Sequence, residues 1–270
     1  MIQTYTGTVH TTGTKEDLLE ITKEVTELLV DYAGCVLVEE TEESSSSAHD
    51  EYVAILHVGG ELYIRSRLYV DGGGAPSFFN ISSGRYLNGE YVWDFTYKNE
   101  DLNGRENHNR YAQLIKVNDC VWMLRVQLFS RPTNIDYHLN VSYFCVLPIK
   151  SGISGEETYC CVGRSNARIT EFPPSLPSEN TYVYSNDGYV KLQFTNRVNA
   201  RYNIPDGKLM LFPSLLFFAV AENNFGVPTI GGQLPYYMAV PNGVSLTPFT
   251  EFYCNGGRYV SLGNVAIRSV

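Results

Sequence analysis

The sequence predicts an α+β chain that is mainly antiparallel β, with one N-terminal amphipathic helix packed on a sheet and a β-rich C-terminal half. Three observations carry that prediction. Aromatic residues make up 13% of the 270 residues, with Tyr 20 well ahead of Phe 13 and Trp 2, and such side chains suit a pleated, half-buried surface. One segment, residues 14–34, has the apolar spacing of a helix. Beyond Gly34 the apolar residues fall at period two or in short runs, separated by turn residues drawn from Gly 23 and Pro 12. Short connections between such runs imply antiparallel pairing.

The helix has a start, a face and a stop. Thr14-Lys-Glu-Asp17 has the form of a capping box, with Asp in the place where Glu or Gln is more usual. Leu18, Ile21, Val25, Leu28 and Tyr32 then make an apolar stripe that Leu29 widens. Glu16, Asp17 and Glu20 suit the positive end of the helix dipole. Gly34 is placed to end the helix in a left-handed conformation.

Strand signals follow. Cys35–Val38 reads as a strand, and Glu39–Ala48 as a solvated, mobile loop rich in Glu and Ser. Tyr52–Val58 and Glu61–Val70 flank Gly59-Gly60 as a hairpin. Asp71-Gly-Gly-Gly74 lacks the Lys-Ser/Thr of a phosphate loop and reads as a turn. In Tyr91–Tyr97, strict alternation places Tyr91, Trp93, Phe95 and Tyr97 on one face. Tyr111–Val117, Cys120–Phe129 and His138–Leu147 are further strands. The composition turns polar near residues 150–155, which divides the chain into 1–150, helix plus antiparallel sheet, and 151–270, a β-rich region. Beyond it, Glu157–Val162, Thr181–Tyr184, Tyr189–Phe194 and parts of Leu209–Ala221 are strand candidates, with Asn186-Asp-Gly188 as a hairpin turn.

Composition also excludes functions. Apolar residues at 44% and charged residues at 18% rule out disorder for the bulk of the chain. A formal net charge of −9 argues against a phosphate-neutralising surface, so no nucleic-acid partner is expected. No stretch reaches the roughly 18 apolar residues of a membrane span. The polar start, Met1–Thr8, predicts no secretory signal. Six cysteines (Cys35, Cys120, Cys145, Cys160, Cys161 and Cys254) read as reduced, buried thiols, and Cys160-Cys161 has no second pair at zinc spacing.

No motif of catalysis appears. There is no G-x-S-x-G, H-E-x-x-H, P-loop or G-x-G-x-x-G. The five histidines (His10, His49, His57, His108 and His138) are scattered, and His57 and His138 sit in strand segments where a structural role is the default. Carboxylates such as Asp94 and Glu251 have aromatic neighbours but no other sequence feature of a glycan-cleaving pair. The expectation is a non-enzyme with no cofactor, no metal and no catalytic residue. Trp93 and Tyr97, followed by the polar loop Asn99–Asn109, are candidates for interface or glycan contact, as are Tyr236, Tyr237 and Tyr259.

The C-terminal segments are the most distinctive. Gly232-Gln-Leu-Pro-Tyr-Tyr237, and a last hairpin around Asn255-Gly-Gly257 within Phe252–Arg268, resemble the ends of bacteriophage virion proteins of the tail and its tip. The start is similar to the same group, with a short Tyr5–Thr8 strand, a capped helix and strands running past Tyr63-Ile-Arg65. The likeness covers both ends of the chain and leaves the middle unmatched. It implies a structural subunit in the tail tip, baseplate or neck, assembled in the bacterial host cytoplasm and located in the virion. Its partners would be copies of itself in a ring and neighbouring virion proteins. The alternatives are a host-glycan-binding module, whose partner is a host surface glycan, and a glycan-cleaving enzyme.

Overall fold

The computed structural model describes residues 3–11, 14–43, 48–70, 77–100, 109–116, 122–130, 139–151, 157–167, 181–185, 188–192, 211–218, 229–240, 246–247, 250–261 and 265–269. In chain order the elements are β1 (Gln3–Thr6), α1 (Lys15–Asp31), β2 (Val36–Glu42), β3 (His49–Gly59), β4 (Leu62–Val70), β5 (Ser77–Leu87) and β6 (Glu90–Glu100). They continue as β7 (Tyr111–Lys116), β8 (Trp122–Ser130), β9 (Leu139–Ser151), β10 (Glu157–Ala167), β11 (Thr181–Ser185) and β12 (Gly188–Leu192). The last are β13 (Phe212–Phe218), β14 (Thr229–Ala239), β15 (Glu251–Cys254), β16 (Gly257–Ser261) and β17 (Val265–Ser269). The chain is β-rich and its strand pairs are antiparallel.

Two sheets form. β2-β3-β4-β5-β6 is a five-stranded meander, each strand pairing with the next in sequence. The larger sheet has twelve strands, with the path β1-β7-β8-β9-β14-β17-β16-β15. β9 is its hub, pairing with β8, with β10 and, at its last residues, with β14. β9 runs through the expected division near residue 150, and the twelve-stranded sheet takes strands from both sides of it.

α1 joins the two sheets. Leu18, Ile21, Val25, Leu28 and Leu29 share one buried cluster with Tyr52, Leu56, Ile64, Leu68, Phe79 and Ile81 of the five-stranded sheet. The same cluster holds Ala112, Leu114, Trp122, Leu124 and Val126 of the larger sheet. Burying each such apolar side chain contributes about 1.5–3 kcal/mol. The helix is therefore held by packing far more than by local propensity. Its start is the expected capping box, in which the Asp17 amide donates to Thr14 Oγ1 at 3.2 Å and the Thr14 amide to Asp17 Oδ2 at 3.3 Å. Gly34 is left-handed at φ 76°, and the Cys35 amide donates back to the Leu29 carbonyl at 3.0 Å.

Several expectations need correction. Tyr32 is not part of the core stripe; it is the C-cap residue, exposed, with its ring stacked on Tyr5 at 3.7 Å between centroids. The buried stripe of the helix is widened by Thr22 and Thr26, whose hydroxyls donate to the carbonyls of Leu18 and Thr22. Residues 39–42 are not loop. They continue β2 through Glu42, because β3 offers its backbone as far as Tyr52. An exposed edge strand tolerates such charge, and Glu42 pairs with Lys23 of the helix at 2.6 Å. The remainder of the expected mobile loop, 44–47, lies outside the described residues, as do Asp71–Gly74. β5 has no counterpart in the sequence reading, although Asn88-Gly89 is a strong hairpin signal. Both residues take positive φ, 53° and 91°, and turn β5 into β6.

The single aromatic face of Tyr91–Tyr97 is also corrected. β6 carries a bulge at Asp94, since Ser83 pairs with Phe95 while the next residue, Gly84, pairs with Trp93. A bulge inserts one unpaired residue and resets the period of two. Tyr91 and Trp93 therefore share the register of Tyr86 and Gly84, whereas positions 95 and 97 share that of Ser83 and Ile81. The strict alternation across the four aromatics is therefore interrupted at Asp94.

Candidate binding surface

The face of the five-stranded sheet turned away from α1 gathers the polar and aromatic half of each strand. In β4, Leu62, Ile64, Ser66 and Leu68 are buried toward the helix, so Tyr63, Arg65, Arg67 and Tyr69 occupy the other side. The register adds His57 from β3, Asn80, Ser82 and Tyr86 from β5, and Tyr91 and Trp93 from β6. A bulge at Glu51 turns Asp50 outward, where it pairs with Arg67 at 2.5 Å.

One end of this face is a cluster of rings. His57 and Tyr63 lie 4.9 Å apart, Tyr63 and Tyr91 5.4 Å, and Tyr86 and Tyr91 4.9 Å. Tyr91 stacks on Trp93 at 5.7 Å, 16° from parallel. Gly84 makes room for Trp93, because a Cβ there would meet the Val92 carbonyl and the Trp93 ring. The Arg65 guanidinium lies over the indole at 4.6 Å and donates from Nη2 to Ser82 Oγ at 3.3 Å.

The electrostatics of Arg65 are unusual. Burial, followed by the neighbouring charge of Arg67, lowers its guanidinium from the ordinary 12.5 to about 10. Among the described residues no carboxylate pairs with it. Among the described residues, its Nε and the Oδ1 of Asn80 are buried with no hydrogen-bond partner. Each such orphan costs about 1–3 kcal/mol, and native proteins carry them where a surface serves more than stability.

Of the five residues singled out in the sequence, Trp93 belongs to this surface. One side of its ring is occupied by Arg65 and it is flanked by Tyr91, so its stacking surface is largely engaged within the chain. Tyr259 lies in a separate C-terminal cluster with Leu211, Val240, Cys254 and Ala266, is 7% exposed and stacks on Phe252. The side chains of Tyr97, Tyr236 and Tyr237, and the loop 101–108, lie outside the described residues. Sequence reading missed Tyr63, Arg65, Arg67 and Tyr86. Period two along Tyr63–Tyr69 and the Asn88-Gly89 turn are the signals that mark them.

Of the carboxylates named in the sequence, the Asp94 side chain lies outside the described residues. Asp94 is in the five-stranded sheet, and Glu251 is in β15 of the other, ion-paired with Arg258. His57 Nε2 contacts the Gly60 carbonyl at 2.9 Å, and His138 lies outside the described residues. Two polar networks brace the helix instead. His10 is buried with Nδ1 3.4 Å from Asp17 and 3.6 Å from Glu20, and Nε2 3.8 Å from Glu24. Beyond it Arg110 is fully buried, and its backbone bridges to that of His10. Glu51 is buried between Lys15 at 2.9 Å and His49 at 2.8 Å, which offsets a cation at the helix N-terminus. Among the described residues no group of three His, Cys, Asp or Glu side chains could hold a metal ion. No described helix is long and apolar enough to cross a membrane. Burial pushes the Cys35 thiol up to about 12 and raises that of Cys254, so both are poor nucleophiles.

No protein-family model, curated protein or solved structure matches the chain.

Proposed function

We propose that the chain is a structural subunit of a bacteriophage particle, in the tail tip, baseplate or neck, that works by oligomeric assembly with copies of itself and neighbouring virion proteins. The observation that carries this reading is the outer face of the five-stranded sheet. The inner face of that sheet already fills its core with α1, yet Tyr63, Tyr86, Tyr91, Trp93 and Arg65 are gathered on the other side. Tyr, Trp and Arg are the residues that dominate binding energy at protein interfaces. The resemblance of the terminal segments supplies the phage context. Imaging of the purified chain by negative-stain electron microscopy tests the reading: rings or a defined position in a particle are expected. A strict monomer by native mass spectrometry at high concentration would count decisively against it.

A second reading, a host-glycan-binding module, draws on the same rings. The Arg65 guanidinium over Trp93 weakens it, because a sugar needs a free aromatic face to stack on. A glycan array settles the choice: binding that is lost in Trp93→Ala would favour the glycan module over the assembly subunit.

A further inference from the structure

Arg65 stands apart from the ion-paired cations of the described structure. Lys15 pairs with Glu51, Lys23 with Glu42, Arg67 with Asp50 and Arg258 with Glu251. No described carboxylate meets Arg65. Asp50 is held by Arg67, and Glu39, in the same cross-strand row, lies two strands away, about 10 Å at the usual spacing. Of the five N–H groups of Arg65, one has a described acceptor, Ser82 Oγ at 3.3 Å. The side chain is partly exposed, and of its nitrogens Nε alone is buried without a described partner, so the Nη1 side of the fork is open to an acceptor from outside. Asn80 adds a second uncommitted group on the same face. It is 6% exposed, in register with Arg67, and its Oδ1 has no described partner. Rotation about χ2 brings its NH2 to the same place. Tyr63, Tyr91 and Trp93 supply ring surface beside the guanidinium.

Resting on the assembly reading above, we propose that Arg65 is the seat for a carboxylate of the neighbouring protein in the particle, an Asp or Glu side chain flanked by apolar residues. Three observations select this occupant. The unpaired guanidinium sets the sign, and a carboxylate is the acceptor that fits its planar fork. The setting strengthens the contact, because burial and the charge of Arg67 disfavour the cation, so an arriving anion relieves a cost already present. The rings decide between a protein and an acidic sugar. Trp93 has Arg65 over one side and Tyr91 stacked beside it, so the ring next to the cation is engaged rather than open for a sugar to stack on. Tyr63 meets Tyr91 edge-on, and apolar side chains pack on such ring edges without a free face. A desolvated Arg among Tyr and Trp is the kind of anchor on which protein partners concentrate their binding energy.

The test uses the full chain diluted to monomer, verified by native mass spectrometry, so that a site filled by a neighbouring copy is open. The probe is a blocked peptide, Gly-Leu-Glu-Leu-Gly, with Gln in place of Glu as the neutral control and galacturonic acid as a sugar carboxylate. The net charge of −9 gives the chain no general attraction for an acidic probe. Tryptophan emission, excited beyond the tyrosine absorption band, reports binding, because Arg65 lies over the Trp93 ring. The Glu peptide is expected to bind roughly tenfold or more tightly than the Gln peptide. Arg65→Gln should abolish that preference, Arg65→Lys should keep part of it, and Arg85→Gln, on the opposite face, should leave it intact. Far-UV circular dichroism checks folding, and if Arg65→Gln unfolds, a preference undiminished in Arg65→Lys overturns the site. Equal binding of the two peptides, or a preference that survives Arg65→Gln, also overturns it. Galacturonic acid held through Arg65 as tightly as the Glu peptide overturns the protein partner in favour of an acidic sugar. A wild type that is monomeric at every concentration, with the preference intact, overturns self-assembly while leaving this site in place.

Discussion

Gly84 and Cys35 show how single positions act in this chain. Gly84 lies opposite the β6 bulge, where a methyl group would run into backbone of the neighbouring strand. Backbone cannot rotate aside as a side chain can, so Gly84→Ala should cost about 1–3 kcal/mol. Urea unfolding with an unchanged slope and a lower midpoint is the expected result. Cys35 acts through protons. Its thiol ionises near 12 in the native state and near 9.0 when free. Between those values the unfolded chain has released the proton and the native chain has kept it. The contribution of Cys35 is therefore complete below about pH 9 and is lost as the pH rises toward about 12. Tyr52, also raised by burial, adds a loss of the same sign above its ordinary 10.0. Stability measured from pH 8 to 11 should fall in the wild type and fall less steeply in Cys35→Ala. A thiol reagent at pH 8 should leave native Cys35 unmodified.

At the scale of elements, the helix and the first strand depend on polar contacts that apolar patterning does not reveal. Removing the Thr14 hydroxyl leaves a helix N–H unpaired, so Thr14→Ala should lower stability by about 1 kcal/mol, and Thr14→Ser should keep most of it. Glu24 accepts from the Thr8 amide at 2.8 Å and flanks His10. Glu24→Ala should therefore loosen the chain around β1 more than the helix. Hydrogen exchange would show faster exchange at Gly7 and Thr8, with the amides of Leu28 and Leu29 little changed. The capping box was legible because it is local, four residues that satisfy each other. The burial of Thr22 and Thr26 was not, because a hydroxyl bonded one turn back behaves as a small apolar group only once a sheet covers it.

For the whole molecule, α1 packs against both sheets in one buried cluster, so the two are expected to unfold together. Leu29 is fully buried in a cluster built from both, and Leu29→Ala should cost about 2–5 kcal/mol. Trp 2 is the full count, and the two indoles report on different sheets, Trp93 on the five-stranded and Trp122 on the twelve-stranded. Trp93→Phe and Trp122→Phe each leave one indole, which excitation beyond the tyrosine absorption band reads alone. The Trp122 and Trp93 signals should melt at midpoints separated only by the small stability difference between the two variants. A wide separation would show that the helix does not couple the sheets.

What the sequence determined by itself is what local chemistry determines: the capped helix ended by Gly34, the β-rich character from aromatic and turn residues, and the hairpin turns at Gly59-Gly60 and around Asn255-Gly-Gly257. Tertiary structure decided the faces. The aromatic alternation of β6 was divided by a bulge that only the partner strand β5 reveals, and the acidic run after Val38 became a strand because β3 was there to pair with it. Period and propensity are properties of one segment, whereas register belongs to two. The candidate surface of Tyr63, Arg65, Tyr86, Tyr91 and Trp93 is drawn from three strands, so it existed in the sequence only as separate alternations until pairing aligned them.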